Sequence, residues 1–119
     1  MGLGEVKWTA SDAVREFEGK DLGTGLSLIL VNVPTGGGPS LHRHPYEEVF
    51  VVHAGRGTIT IGETTIDAGA GDIAVAPSGT PHRFVNSGSD RLQLTAIHNA
   101  PQFITEWLEK PEPSWVTRR

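Results

Sequence analysis

Every apolar stretch between Leu26 and His98 is cut off by glycine or proline while it is still short. "LSLILVNV" ends at "PTGGGPS", "EVFVVHA" at "GRG", "IAVAP" at "SGTP" and "HRFVN" at "SGSD". This punctuation confines the chain to short strands joined by turns. Its density comes from 15 glycines and 8 prolines in 119 residues. Gly36 to Gly38 form an uninterrupted run that fits comfortably inside neither a helix nor a strand. "TITIG" and "TTIDA" flank Gly62-Glu63, and "HRFVN" and "RLQLTAIH" flank "SGSD", so both pairs read as hairpins. At least six strands at near-regular spacing predict an all-β fold, either a sandwich or a small barrel.

The two ends read differently. "TASDAVREF" predicts one helical turn or a loop, with Ser11 or Asp12 as cap and Val14 and Phe17 on one face. "APQFITEWLEK" places Phe103 and Trp107, and Ile104 and Leu108, four residues apart, which predicts a short amphipathic C-terminal helix. "PEPSWVTRR" reads as an extended tail in which Trp115 docks on something. A single domain over residues 1–119 is expected, with a core at about 26–98 and the helix and tail at about 100–119.

Composition removes several functions. The chain has no cysteine, which excludes disulfides, thiolate metal sites and cysteine nucleophiles. A net charge of -4 without a basic patch argues against a nucleic-acid partner. No apolar run approaches the length of a membrane span, and "MGLGEVKW" lacks a secretory signal. Val6 stands where a myristoylation signal needs Ser or Thr. A cytoplasmic protein without membrane partners is the expectation.

The chemistry concentrates in "PSLHRHPYEEVFVVHAGRG". Alternate residues of a strand share a face, so His42 and His44 point one way and Arg43 the other. By the same parity Glu48, Phe50 and Val52 point inward, while Val49, Val51 and His53 point outward. An inward carboxylate is costly without a cationic partner, and a metal ion is one such partner. His82 opens a further strand and shares its face with Phe84 and Asn86. Three imidazoles and one carboxylate suit Fe(II), Mn(II), Ni(II), Co(II) or Zn(II) and leave positions open for substrate. Taken singly, each of these residues has an ordinary reading: a polar pair at a loop edge, a surface Glu47-Glu48 pair, a core or turn histidine. The joint pattern favours the metal.

Two spacings in this region resemble the two sequence motifs of the cupins. Gly36, five residues, His42-x-His44, three residues, Glu48, six residues and Gly55 resemble the first motif. Gly71, five residues, Pro77-x-Gly79, two residues, His82, three residues and Asn86 resemble the second. The resemblance implies a double-stranded β-helix, or jelly-roll barrel, here with the short C-terminal helix added. It implies one divalent metal ion inside the barrel, held by His42, His44, Glu48 and His82. Gly36, Gly55, Gly71 and Gly79 would serve as turn positions, Pro77 would fix the turn presenting His82, and Asn86 would be structural. Small cupins commonly form homodimers, so a homodimer that takes a small-molecule substrate or ligand is expected.

The fold leaves the reaction open. A metal-dependent dioxygenase would take a small chelating substrate, with Phe50 and Phe84 as an apolar pocket wall. A redox-neutral lyase or isomerase would use the metal as a Lewis acid and needs a proton shuttle. His98 is the candidate, because Leu92, Leu94, Ala96 and His98 share a strand face; Tyr46, between the ligands, is a weaker one. A non-catalytic metal- or ligand-binding module is the third reading.

Overall fold

The computed structural model describes residues 14–110. In chain order these form β1 (Val14–Phe17), a single-turn helix α1 (Gly19–Leu22), β2 (Ser27–Val33), β3 (His42–Arg43), β4 (Glu48–Ala54) and β5 (Arg56–Ile61). Then follow β6 (Thr64–Gly69), β7 (Ile73–Ala76), β8 (His82–Asn86), β9 (Leu92–His98) and β10 (Glu106–Trp107). They build two five-stranded antiparallel sheets, ordered β1-β2-β9-β4-β7 and β10-β3-β8-β5-β6. Phe50, Val52, Leu92 and Leu94 of the first sheet pack with Ile59, Ala68 and Phe84 of the second in one core. This is the all-β fold that the turn punctuation anticipates, in the jelly-roll form that the family resemblance implies. No helix among the described residues is long and apolar enough to cross a membrane.

Side-chain parity runs as the sequence dictates. In β4, Glu48, Phe50 and Val52 are buried, Val49 and Val51 are half-buried and His53 is exposed. In β8 the buried set is His82, Phe84 and Asn86; in β9 it is Leu92, Leu94, Ala96 and His98. Burying each large apolar side chain contributes ~1.5–3 kcal/mol. A one-residue slip would turn every one of them to solvent, so the core fixes the register. That register sets Glu48 opposite His98 across β4 and β9, and His42 opposite His82 across β3 and β8. The two sheets thus each deliver one polar pair to the same end of the core.

Two glycines hold the frame around that end. Gly55 has φ of 82°, and a Cβ there would collide with the Arg91 carbonyl oxygen, so only glycine fits between β4 and β5. Gly79 has φ of 78°, and its N–H donates to the His44 carbonyl at 2.8 Å, tying the loop before His82 to the loop after His42. Asn86 is structural: its Nδ2 donates to the Val33 and Asp90 carbonyls at 2.9 and 2.8 Å. Its Oδ1 accepts the Gly88 N–H at 2.9 Å.

Both ends depart from expectation. Val14–Phe17 is a strand rather than a helical turn, paired in full with Leu28–Val31 of β2; the proposed caps Ser11 and Asp12, like Trp115, lie outside the described residues. The expected C-terminal helix is absent from residues 100–110, which run as an extended strap containing β10. Its reading failed because a spacing of four is even: residues four apart share a face in a strand as well as in a helix. Phe103, Thr105 and Trp107 do face one way, lining a cavity, although Thr105 and Trp107 keep an exposed side just as Ile104 and Leu108 do. Trp107 pairs with His42, Glu106 with Arg43, and the Arg43 Nε–Glu106 Oε1 ion pair of 2.7 Å lies across the outside of that ladder.

Candidate metal centre

His42 sits on β3, His44 just beyond it, and Glu48 and His82 open β4 and β8. All of them are at least nine-tenths buried. One donor atom from each of these four lies within 4.8 Å of every other. Nε2 of His82 and of His44 are 2.9 and 3.0 Å from Glu48 Oε1. The structure therefore gathers at one point the residues that the two sequence motifs single out.

The far side of each ring explains why. Nδ1 of His42 lies 2.7 Å from the Ser40 carbonyl, that of His44 2.8 Å from the Ile104 carbonyl, and that of His82 2.9 Å from the Thr80 carbonyl. A carbonyl only accepts, so each Nδ1 must carry the proton. In the neutral ring Nε2 is then a bare lone pair, the form that ligates a metal, and the carbonyl partner fixes its direction. Three lone pairs and a carboxylate oxygen facing one another repel unless a cation stands among them. Nε2 of His44 is also without a hydrogen-bond partner, since it is close to Glu48 but out of line for a bond. A buried unsatisfied polar atom costs about 1–3 kcal/mol. A cation at the centre removes both penalties, and three nitrogens with one oxygen fit a divalent ion of the Mn, Fe, Co, Ni or Zn series.

Electrostatics agree with this. Burial pushes the Glu48 carboxyl up, but the His44, His82 and His98 rings gathered around it outweigh that and hold the group well below the usual carboxylate range. Burial lowers His42 to about 4, which keeps its imidazole neutral. Burial also works to lower His82, but the hydrogen bond to Glu48 prevails and raises it. A proton on His82 and a metal ion are thus alternative cations for the same carboxylate.

His98 and Tyr46 stand behind the donors. His98 Nε2 is 3.2 Å from Glu48 Oε2, likewise out of hydrogen-bonding line, and is the second buried nitrogen left unpaired among the described residues. Its Nδ1 faces the Tyr46 hydroxyl at 2.7 Å. The Tyr46 ring stacks on His44 at 4.8 Å, and burial pushes its hydroxyl up to about 12. His53 points away from the site and pairs with Thr95 Oγ1 at 2.7 Å.

A cavity of about 60 Å³ adjoins the donors. Water needs roughly 10–15 Å³ on the same measure, so this volume holds a few waters or one small molecule. Its apolar walls are Ile29, Val31, Phe84 and Ala96 from the sheets and Phe103 and Trp107 from the strap, and the exposed Glu16 of β1 also lines it. His98 reaches it; Tyr46 does not. Of the two expected aromatic walls only Phe84 is there. Phe50 instead lies in the core, edge-on to His82 at 5.7 Å and to Phe84 at 5.9 Å. No lysine or arginine lines the cavity.

Sequence reasoning missed two groups of residues. The carbonyls of Ser40, Thr80 and Ile104 carry no side-chain signal at all. The strap residues Phe103, Thr105 and Trp107 carry only an ambiguous one, since the four-residue spacing of Phe103 and Trp107 fits a helical face and a strand face alike.

Comparison with known proteins bears on this geometry. The family model described as "Cupin domain" matches residues 29–98. An uncharacterized protein of Methanocaldococcus jannaschii is 31% identical over 80 residues, which is 66% of this chain and 64% of that protein. The chain superposes on the Lactobacillus farciminis oxalate decarboxylase–formate complex with TM-score 0.73 and 24% identity, covering 80% of this chain and 30% of that one. It superposes on a Klebsiella pneumoniae protein with a double-stranded β-helix domain with TM-score 0.71 and 19% identity, covering 90% of this chain and 100% of that one. The matched part is thus less than two thirds of the first two proteins' length.

Proposed function

The chain belongs to the cupin family, and from that premise we propose that it is a metalloenzyme of dioxygenase type acting on a small chelating organic substrate. The observation that carries the reading is the set of three directed Nε2 atoms and one carboxylate opening onto a small apolar cavity. A divalent transition metal held by His42, His44, Glu48 and His82 supplies Lewis acidity and, where it is redox-active, one-electron chemistry with O2.

The protein's own contribution is placement and exclusion. Phe84, Phe103 and Trp107 wall off water and select an apolar substrate body. Charge narrows the class further. Among the donors, one carboxylate against a divalent ion leaves one positive charge; the cavity adds no lysine or arginine but does add a second carboxylate, Glu16, on its exposed side. A chelator that binds as a monoanion brings the ion and Glu48 to neutrality, whereas a dianion would add an uncompensated negative charge against apolar walls and towards Glu16. The formate bound by the Lactobacillus farciminis neighbour is a monoanion of that small size.

The test is O2 uptake by metal-loaded protein with a panel of small chelators: glycolate, an α-hydroxyketone, a β-diketone and, as the dianion, oxalate. Uptake with a monoanionic chelator that stops on metal removal supports the reading. Turnover that persists without O2 would replace it with the Lewis-acid lyase or isomerase. A ligand-dependent rise in Tm with no turnover would replace it with a binding module.

A further inference from the structure

Four histidines surround Glu48, yet their far nitrogens divide them into two kinds. His42, His44 and His82 each present Nδ1 to a backbone carbonyl, which fixes Nε2 as an acceptor. His98 alone among them has no backbone carbonyl at Nδ1 and faces only a hydroxyl there, that of Tyr46, whereas His44 Nδ1 has the Thr105 hydroxyl at 3.3 Å in addition to its carbonyl. The Tyr46 oxygen also lies 3.4 Å from the Ile104 N–H, which donates to it. Of the hydroxyl's partners among the described residues only His98 Nδ1, 2.7 Å away, can accept its proton. With Nδ1 accepting, a neutral His98 carries its proton on Nε2, and that nitrogen faces Glu48 Oε2 at 3.2 Å.

We propose that His98 is a positioning residue: Tyr46 sets its tautomer, and its Nε2–H, 3.2 Å from the outer oxygen of Glu48 though out of line for a hydrogen bond, holds that oxygen electrostatically, so that Glu48 ligates through Oε1 alone. The inference rests on the metal reading of the site. It explains why a histidine that is 1% exposed and touches the ligand carboxylate stands outside the four-donor cluster. It also reassigns His98 from the proton-shuttle role. A shuttle needs one nitrogen turned to substrate, and here one faces Tyr46 and the other Glu48. Tyr46 does not reach the cavity, so its hydroxyl acts through His98 rather than on substrate. The consequence for function is coordination number. A carboxylate held by one oxygen leaves one more position for a chelating substrate than a carboxylate that binds through both.

The probe is Co(II), whose visible absorption reports its coordination geometry, added to the metal-stripped full chain. Wild type is expected to bind about one Co(II) per chain. His98→Ala should still bind one, about 10-fold more weakly, with the absorption shifted by the second carboxylate oxygen. Tyr46→Phe keeps the ring stacked on His44 and should shift the spectrum the same way. His98→Gln, whose amide N–H can stand in for Nε2–H, should lie closer to wild type. Tyr46→Phe combined with His98→Ala should match His98→Ala alone, because the two act in series. An unchanged spectrum in both single variants would overturn the proposal, as would additive effects. Complete loss of binding in His98→Ala and His98→Gln, with folding intact by circular dichroism, would make His98 a ligand instead. If His98→Ala does not fold, Tyr46→Phe and His98→Gln carry the test. Wild type that binds no Co(II) would sink the metal reading itself, a result distinct from all of these.

Discussion

Each ligand histidine is aimed from behind, by a proton given to a carbonyl two residues upstream in His42 and His82 and by the strap in His44. Removing any donor should therefore cost metal, not merely reshape the site. His42→Ala, His44→Ala, Glu48→Ala and His82→Ala should each lower affinity by far more than the 10–100-fold typical of outer partners. His53→Ala should leave it unchanged, since that ring lies on the outer face; metal titration of the variants checks both. The buried donors also give the metal-stripped protein a signed pH dependence. His42 takes a proton near 6.5 when unfolded but only at about 4 when folded. Between those values the unfolded chain binds more protons, so stability falls as pH falls. Glu48, depressed on folding, adds to the loss below the ordinary carboxylate range. His82, raised on folding, acts oppositely: its contribution is complete below its ordinary value and is lost as pH rises through its folded value. Denaturant melts should therefore show stability highest near pH 6.5 and decreasing below it; flat stability from pH 6.5 to 4 would contradict the burial of His42. At this scale the donors were legible because ligand spacing is written in side chains. The atoms that aim them were not, because backbone carbonyls leave no trace in residue identity.

The strap is the element that the sequence misrepresented. Its apolar pairs, Phe103 with Trp107 and Ile104 with Leu108, stand four apart, a spacing that satisfies a helical or a strand period. What decided between them was pairing: β10 finds a partner in β3, and the Leu108 and Glu109 N–H groups both reach the Leu41 carbonyl, at 3.0 and 3.2 Å. An isolated helix of this length has no such support. The strap closes the site as well as lengthening the sheet. Trp107 stands 4.9 Å from the His42 ring and Phe103 5.0 Å from the His98 ring. Trp107→Ala should open the mouth and speed metal loss to a chelator about 10-fold, the scale of an outer partner, while circular dichroism stays unchanged. Equal loss rates in the two proteins would mean that the strap does not shield the site.

For the whole molecule, the fold and the site depend on one register. Phe50 and Leu94 lock β4 and β9 together in the core, and the same ladder ends on Glu48 opposite His98. Phe50→Ala should cost about 3–5 kcal/mol and lower Tm accordingly, and it should weaken metal binding too, because that ring packs edge-on against His82. Binding couples back to stability: metal at 100 times its Kd should add ~2.7 kcal/mol. The all-β architecture was readable from turn residues alone, since glycine and proline leave no room for longer elements. The cavity was not, because its volume depends on how the sheets and strap close over it.

The central claim is that His42, His44, Glu48 and His82 hold one metal ion. Elemental analysis of untagged protein, wild type beside His82→Ala, tests it most directly. The account predicts about one equivalent of a divalent transition metal per wild-type chain and little in the variant. No metal in the wild type after reconstitution, or full metal in His82→Ala, would contradict it.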